Sequence, residues 1–344
     1  MFEQSSGQKK DQLSSTLVQL ADAGENIEQY EGRIETTKGF DLYFRLFKHI
    51  DNSSDHKKTG LVALHGTTSH GGTFKKAIES LINDAQYAWI VTPDTPGHAK
   101  SSTLEGEVDV SDYADAIGEL VNTLYQNDDI SGDRVLTANS GHSAIAVEMY
   151  NQHVQSELDD LSEGDSESIK GIILSGPVYH SRDTFLGRFG PVLVSMLGKI
   201  PDKIINLPQT VTRLYGKYRA SNEREAKIQQ TRKVDLSNKS LYQDVRAMER
   251  FYREHQVDGD YRPLIVNDDM NVAIIKSKKD NLSNGNEQLL RTLHGKDVIL
   301  KITGNGVGHH PHKESVKWYA TTHREVLEEF AARDAKRAYL EQLN

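Results

Sequence analysis

Short, largely apolar runs separated by amphipathic stretches recur along the chain. The runs at residues 60–64, 88–91, 135–138, 172–174, 272–275 and 298–302 read as buried strands. Between them, helical spacing appears at 74–81, 111–124, 144–149, 286–293 and 313–335. In the second of these, Ser111 is the expected N-cap, and Ala114, Ile117, Leu120, Val121 and Leu124 share one face. Two strand-like runs within 31–47 flank Lys38-Gly39 and predict a hairpin. Residues 13–23 give a weaker pattern, read as a short amphipathic helix in an otherwise polar arm. The charged stretch 51–58 and the acidic stretch 156–168 read as solvated loops.

Strands alternating with helices imply a mostly parallel sheet covered on both faces, an α/β fold with ligands at the carboxyl ends of its strands. The alternation stops between about 180 and 256, where helical patterns at 185–197, 211–218, 222–229 and 241–255 follow one another. The expected organisation is a polar arm at 1–26, a core built from 27–178 and 263–344, and a helical cap inserted at 179–262. Within the helical block, fifteen Lys and Arg face eight Asp and Glu, whereas the whole chain carries a net charge of −9. A solvated helix surface accounts for that excess. If it faced the site, substrates bearing a carboxylate or phosphate would be favoured.

With 344 residues the chain is long enough to bury a sizeable core. A hydrophobic content of 36% and a mean hydropathy of −0.60 describe a polar chain without a run long enough to span a membrane. The chain has no cysteine, which removes disulfides, thiolate nucleophiles and Cys-based metal sites. The first residues lack the apolar segment of a signal peptide, so the expected location is cytoplasmic. The acidic balance, without a basic run, argues against nucleic acid as a partner.

The candidate chemistry centres on 133–149. A short apolar strand there meets a helix of small residues across Asn139-Ser140-Gly141, which leaves room only for a tight turn. A Ser on such a turn stands clear of the sheet with a helix N-terminus aimed at it. A Ser needs a base to take its proton, and the base needs an acid to orient it. Asp280 follows the strand at 272–275, where it also suits an ordinary turn or cap. His309 lies in Gly308-His309-His310-Pro311-His312, after the last strand. That histidine cluster lacks a carboxylate or Cys at ligand spacing, so neither a metal nor a cofactor is expected.

Residues 138–146, A-N-S-G-H-S-A-I-A, resemble the G-x-S-x-G-G-x-I-A run of α/β-hydrolases, with Ala138 and His142 at the two usual glycines. A register centred on Ser143 would lengthen the turn, whereas Ser140 keeps the strand and helix in phase. Residues 271–280 are similar to the family's strand-G-x-x-D segment, with Ser277 at the usual Gly, and 308–312 to its G-H-x-P-H segment. His65-Gly66-Thr67 resembles the H-G-x turn, and 94–101 resembles D-x-P-G-H-G-x-S, to which the family gives a structural role.

The resemblance covers roughly 31–335. It implies an α/β-hydrolase fold, the esterase and monoacylglycerol-lipase (lysophospholipase-like) branch, and a triad of Ser140, Asp280 and His309. Thr67 and Gly141 then match the oxyanion-hole donors. His142, Thr68 and His70 become substrate contacts, and a small acyl or lipid-like ester is the expected partner. Peptidase, thioester and lactone chemistry use the same triad. A non-catalytic ligand-binding homologue is the alternative that His142 keeps open. The oligomeric state has no sequence signal.

Overall fold

In a computed structural model, the described residues are 17–24, 26–50, 59–102, 106–159, 168–178, 201–202, 204–218, 223, 226–227, 234–257, 260–261, 263–265, 271–277, 280, 287–295, 297–303 and 308–343. The loop expected at 51–58 and the helix expected at 185–197 lie outside them, as do most of the loop expected at 156–168 and most of the helix expected at 222–229. Residues 156–159 instead continue the helix that begins at Ser143.

The main sheet is built from β1 (Val18–Gly24), β2 (Ile27–Glu35), β3 (Asp41–His49), β4 (Gly60–Leu64), β5 (Trp89–Pro93), β6 (Arg134–Asn139) and β7 (Ile169–Ser175). Two short strands, β8 (Gln256–Val257) and β9 (Asp260–Tyr261), pair antiparallel with each other. The strands β10 (Val272–Ser277) and β11 (Ile299–Thr303) complete the main sheet. Its order is β1-β2-β3-β5-β4-β6-β7-β10-β11. All neighbours from β5 to β11 in that order run parallel, and β1, β2 and β3 add an antiparallel edge.

The chain leaves β4 toward β5 on one side and reaches β6 on the other. The order therefore reverses between β4 and β6, and the carboxyl ends of those two strands open onto the crevice where such sheets bind ligands.

The helices with both ends described are α1 (Lys75–Asn83), α2 (Val110–Gln126), α3 (Ser143–Asp159), α4 (Leu207–Tyr218), α5 (Asn238–Glu254), α6 (Glu287–His294), α7 (Pro311–Glu314) and α8 (Val316–Glu341). Alternate residues of each central strand serve opposite faces. Val62, Leu64, Leu136, Ala138, Ile172 and Leu174 join the core under α2 and α3, while Leu61, Ala63, Val135 and Ile173 join the core under α1 and α8. Burial on both faces is why these strands read as continuous apolar runs rather than alternating ones.

Three local expectations change. Val18–Gly24 is a strand paired antiparallel with β2, not part of a helix. The seven-residue VQLADAG carries no decisive period, and the open edge of β2 decides its form. The N-cap of α2 is Asp109 rather than Ser111. Asp109 and Asp112 form a reciprocal capping box, which satisfies two helix-end donors where Ser111 would satisfy one. The last helical pattern is divided at Ser315, which separates α7 from α8.

Behind the sheet the Tyr87 hydroxyl meets His323 Nδ1 at 2.9 Å. Burial pushes the pKa of fully buried His323 down to about 3. Burial does the same to His294, also to about 3. The folded protein thus refuses protons that the unfolded chain accepts below its ordinary histidine value of 6.5. Stability rises with pH through that window and is fully present above it. By pH 5 each imidazole removes ~2 kcal/mol. Urea unfolding at pH 7.5 and 5.0 checks this, and His323→Gln should shrink the difference by about the same ~2 kcal/mol. An undiminished difference in the variant would rule His323 out as a source.

Candidate active site

Ser140 lies at the carboxyl end of β6, where one turn of 3-10 helix, Ser140–His142, leads into α3. Its φ of +60° is in the left-handed region, which a side chain enters only at a cost. Ser143, the other serine of the motif, is ordinary right-handed helix and buried. The turn is tight because its neighbours allow it. A Cβ on Gly66 would lie 3.1 Å from both Ser140 Cβ and Asn139 Oδ1. A Cβ on Gly141 would lie 2.7 Å from Thr67 Oγ1. The turns that carry Thr67 and Gly141 are therefore in contact.

Asp280 and His309 meet in a buried pair. His309 Nδ1 lies 2.9 and 3.1 Å from the two Asp280 oxygens. An ionised carboxylate only accepts, so Nδ1 carries the proton and Nε2 keeps the lone pair that a general base needs. The backbone beneath them leaves no room for a side chain. Gly176, at φ +54° just after β7, would bring a Cβ within 2.9 Å of Asp280 Oδ2 and 3.1 Å of His309 Nδ1.

Two residues that sequence reasoning did not single out tie this pair to the elbow. Asn139, next to Ser140, donates from Nδ2 to Ser175 O at 3.0 Å and to His309 O at 3.3 Å. Its Oδ1 accepts from His310 Nδ1 at 3.0 Å. Glu314 on α7 accepts from the backbone N–H of Gly308 at 2.7 Å and of His310 at 3.1 Å, holding the residues on either side of His309. An Asn beside a strand end and a Glu early in a helix are too common for sequence to mark either.

Thr68 and His70 lie half-buried in the turn after β4, which is closed by Ser69 N–H donating to Gly66 O at 2.8 Å. His142 is different. Its ring is fully buried, and Nε2 lies 3.0 Å from Asp244 Oδ1. Asp244 is on α5, fully buried, and 3.9 Å from His98 Nε2. Burial opposes ionisation of this carboxyl, but the His142 imidazole, then His98 and the Thr67 hydroxyl, outweigh it and hold the pKa below the usual range. Asp244 belongs to the helical block whose charges read as a solvated surface in the sequence. The available signal is its place on the buried stripe of α5 with Leu241, Met248, Phe251 and Tyr252.

His98, His142 and Asp244 bring one ligand atom each to within 4.8 Å of one another, as a metal site would. Hydrogen bonding assigns the atoms otherwise. Burial holds His98 below its ordinary pKa and leaves one ring proton. Of the two carbonyls it faces, Thr67 O at 2.7 Å from Nε2 is nearer than Pro96 O at 3.0 Å from Nδ1, so Nε2 carries the proton and lacks a free lone pair. His65 Nε2 accepts from Thr95 N–H at 3.0 Å, which places its proton on Nδ1 toward Gly66 O at 3.0 Å. Burial, reinforced by His98 and His142, keeps His65 neutral well below its ordinary pKa.

A family model described as serine aminopeptidase, S33 (Hydrolase_4) matches residues 55–315. The chain belongs to this family. It is a hydrolase with the α/β-hydrolase fold, and its relatives in structure agree on that fold. An esterase from Exiguobacterium antarcticum superposes with a TM-score of 0.59 at 18% identity, covering 87% of this chain and 98% of that one. A monoacylglycerol lipase from Paleococcus ferrophilus gives 0.53 at 19%, covering 85% and 99%. The juvenile hormone epoxide hydrolase of the silkworm Bombyx mori gives 0.57 at 14%, covering 89% and 77%. At such identities the likeness extends to fold and no further. No curated protein matches the sequence of this hydrolase. Among the described residues, no helix is long and apolar enough to cross a membrane.

Proposed function

We propose that this hydrolase cleaves carboxylic esters of small acyl or lipid-like substrates through an acyl-enzyme. Ser140 is the nucleophile, His309 the base and then the acid, and Asp280 the carboxylate that orients His309. The observation that carries this reading is Ser140 at positive φ, next in the chain to the Asn139 that donates to His309 O, together with the buried, hydrogen-bonded Asp280–His309 pair. Ser140 Oγ attacks the acyl carbon while His309 Nε2 takes its proton, and the carbonyl oxygen becomes an oxyanion. The N–H groups of Thr67 and Gly141 are the donors for that charge. His309 returns the proton to the leaving alkoxide, and water, activated by His309, releases the acid and frees Ser140. Every atom in this cycle comes from substrate, water or these side chains, so no cofactor takes part. The expected partner is thus a small acyl ester.

Ester cleavage on this fold, as in the esterase and the monoacylglycerol lipase named above, is the reason esters are tried first. The family description favours a second reading, removal of an N-terminal residue from a peptide. Incubation with a fluorophosphonate probe, followed by peptide mass spectrometry, should place one adduct on Ser140. A panel of p-nitrophenyl acyl esters and aminoacyl p-nitroanilides should then show faster turnover of the esters. Preference for the anilides would install the peptidase reading. An adduct on Ser143 would shift the nucleophile by three residues, and a folded, unlabelled protein would point to a ligand-binding role.

A further inference from the structure

The fully buried Asp244 lies outside the mechanism above, yet it ends a connected polar chain at the oxyanion-hole turn. That turn is held from two sides. His98 Nε2 donates to Thr67 O at 2.7 Å, fixing the carbonyl of the residue whose N–H is the proposed donor. On the other side the Thr67 hydroxyl lies against Gly141, so the two donor turns move together.

Both supports lead to the stretch that ends in α5. His98 forms an isolated antiparallel bridge with Leu236, and Ala99 N–H donates to Asp235 O at 2.9 Å. Asp244 takes His142 Nε2 at 3.0 Å and faces His98 Nε2 at 3.9 Å. The rings of His65, His98 and His142 pack mutually, with centroids 4.9, 5.0 and 5.2 Å apart, so no water-sized gap separates them. The Thr67 hydroxyl bonds to the same carboxylate, and the three rings and Asp244 are fully buried. A buried carboxylate in that situation is costly unless its neighbours hold it in place, so its position dictates theirs.

We infer that Asp244 is a positioning residue for the oxyanion hole, carried on α5 and acting through His142 and His98 on the Thr67 turn. Seating α5 and forming a competent hole are then one event. The residue at 142, where the family resemblance expects glycine, is the elbow's half of the contact. This inference rests on the proposed acyl-transfer reading only for the name of what the turn does. The physical claim, that Asp244 holds the Thr67 turn, stands apart from it.

The test compares wild type, Asp244→Asn and Asp244→Ala. Asn keeps the shape and removes the charge, and Ala removes the contact. With a short-chain p-nitrophenyl ester, kcat should fall about tenfold in Asn and about a hundredfold in Ala, with KM within about twofold. Inhibition by an alkylboronic acid, which presents an oxyanion to the hole, should weaken by the same factors. Hydrogen exchange in a peptide covering 64–74 should accelerate in the same order, while exchange in β6, β7 and β10 stays at the wild-type rate. A structural role alone would not confine the effect to that peptide and to kcat.

Unchanged kcat and unchanged exchange at 64–74 would overturn the inference. So would acceleration spread over the whole sheet, which would make Asp244 a general stabiliser. A stoichiometric divalent ion in the purified protein, lost in both variants and needed for activity, would overturn it in favour of a metal site on His98, His142 and Asp244. If wild type ignores both probe and esters, the acyl-transfer reading fails. The exchange experiment then still decides whether Asp244 holds the turn.

Discussion

Ser140→Ala should lower kcat on the best ester by on the order of 10⁶ and abolish fluorophosphonate labelling. Stability should move little, within about 0.5 kcal/mol, because alanine keeps the Cβ that packs against Gly66. The companion variant, Ser140→Gly, loses the nucleophile too, but it removes the Cβ that resists a φ of +60°. It should raise the unfolding free energy by about 1 kcal/mol in urea titration. Together the variants separate chemistry from strain: both are inactive, and only one is more stable than wild type. Retained labelling in Ser140→Ala would place the nucleophile elsewhere. A glycine variant no more stable than wild type would show that the turn stores no strain.

Asp280→Asn should cost about four orders of magnitude in kcat with the fold intact. The carboxylate faces His309 Nδ1 with both oxygens, at 2.9 and 3.1 Å, and thereby keeps the proton on Nδ1. Asparagine has the same shape but offers an NH₂ group, which pairs with an unprotonated Nδ1. The proton then sits on Nε2, where it blocks transfer from Ser140. KM should stay within about twofold, and the labelling rate should fall in parallel with kcat, because both report the activated hydroxyl. A loss smaller than about tenfold would mean that Asp280 does not set the tautomer. The room for this pair depends on Gly176, whose missing side chain leaves Asp280 and His309 side by side.

The sequence expectations that agree with the structure rest on short-range pattern. The run at 60–64 coincides with β4, and those at 135–138, 172–174 and 272–275 lie inside β6, β7 and β10, because strands buried on both faces are apolar at every position. The hairpin around Lys38-Gly39 was legible from glycine, which has φ +80° there. Where the pattern is short or ambiguous, neighbours decided instead. Val18–Gly24 became a strand because β2 presented an unpaired edge, and Asp109 displaced Ser111 because Asp112 could reciprocate.

The sequence by itself determined the alternation of strands and helices, the tight Asn139-Ser140-Gly141 turn, and the chain order of Ser140, Asp280 and His309. These are local facts, set by period, turn chemistry and residue type. Only the tertiary structure decided what His142 does. Its ring turns inward to a carboxylate 102 residues away, on a helix whose charges look solvated in sequence. It likewise decided that Asn139 and Glu314 hold the His309 loop, and that Gly176 makes room for the pair. Each of these depends on groups distant in sequence sharing a buried volume, where an unpaired charge or a misplaced methyl is expensive. Periodicity can show which face of α5 is buried, but only the packed fold shows what Asp244 meets there.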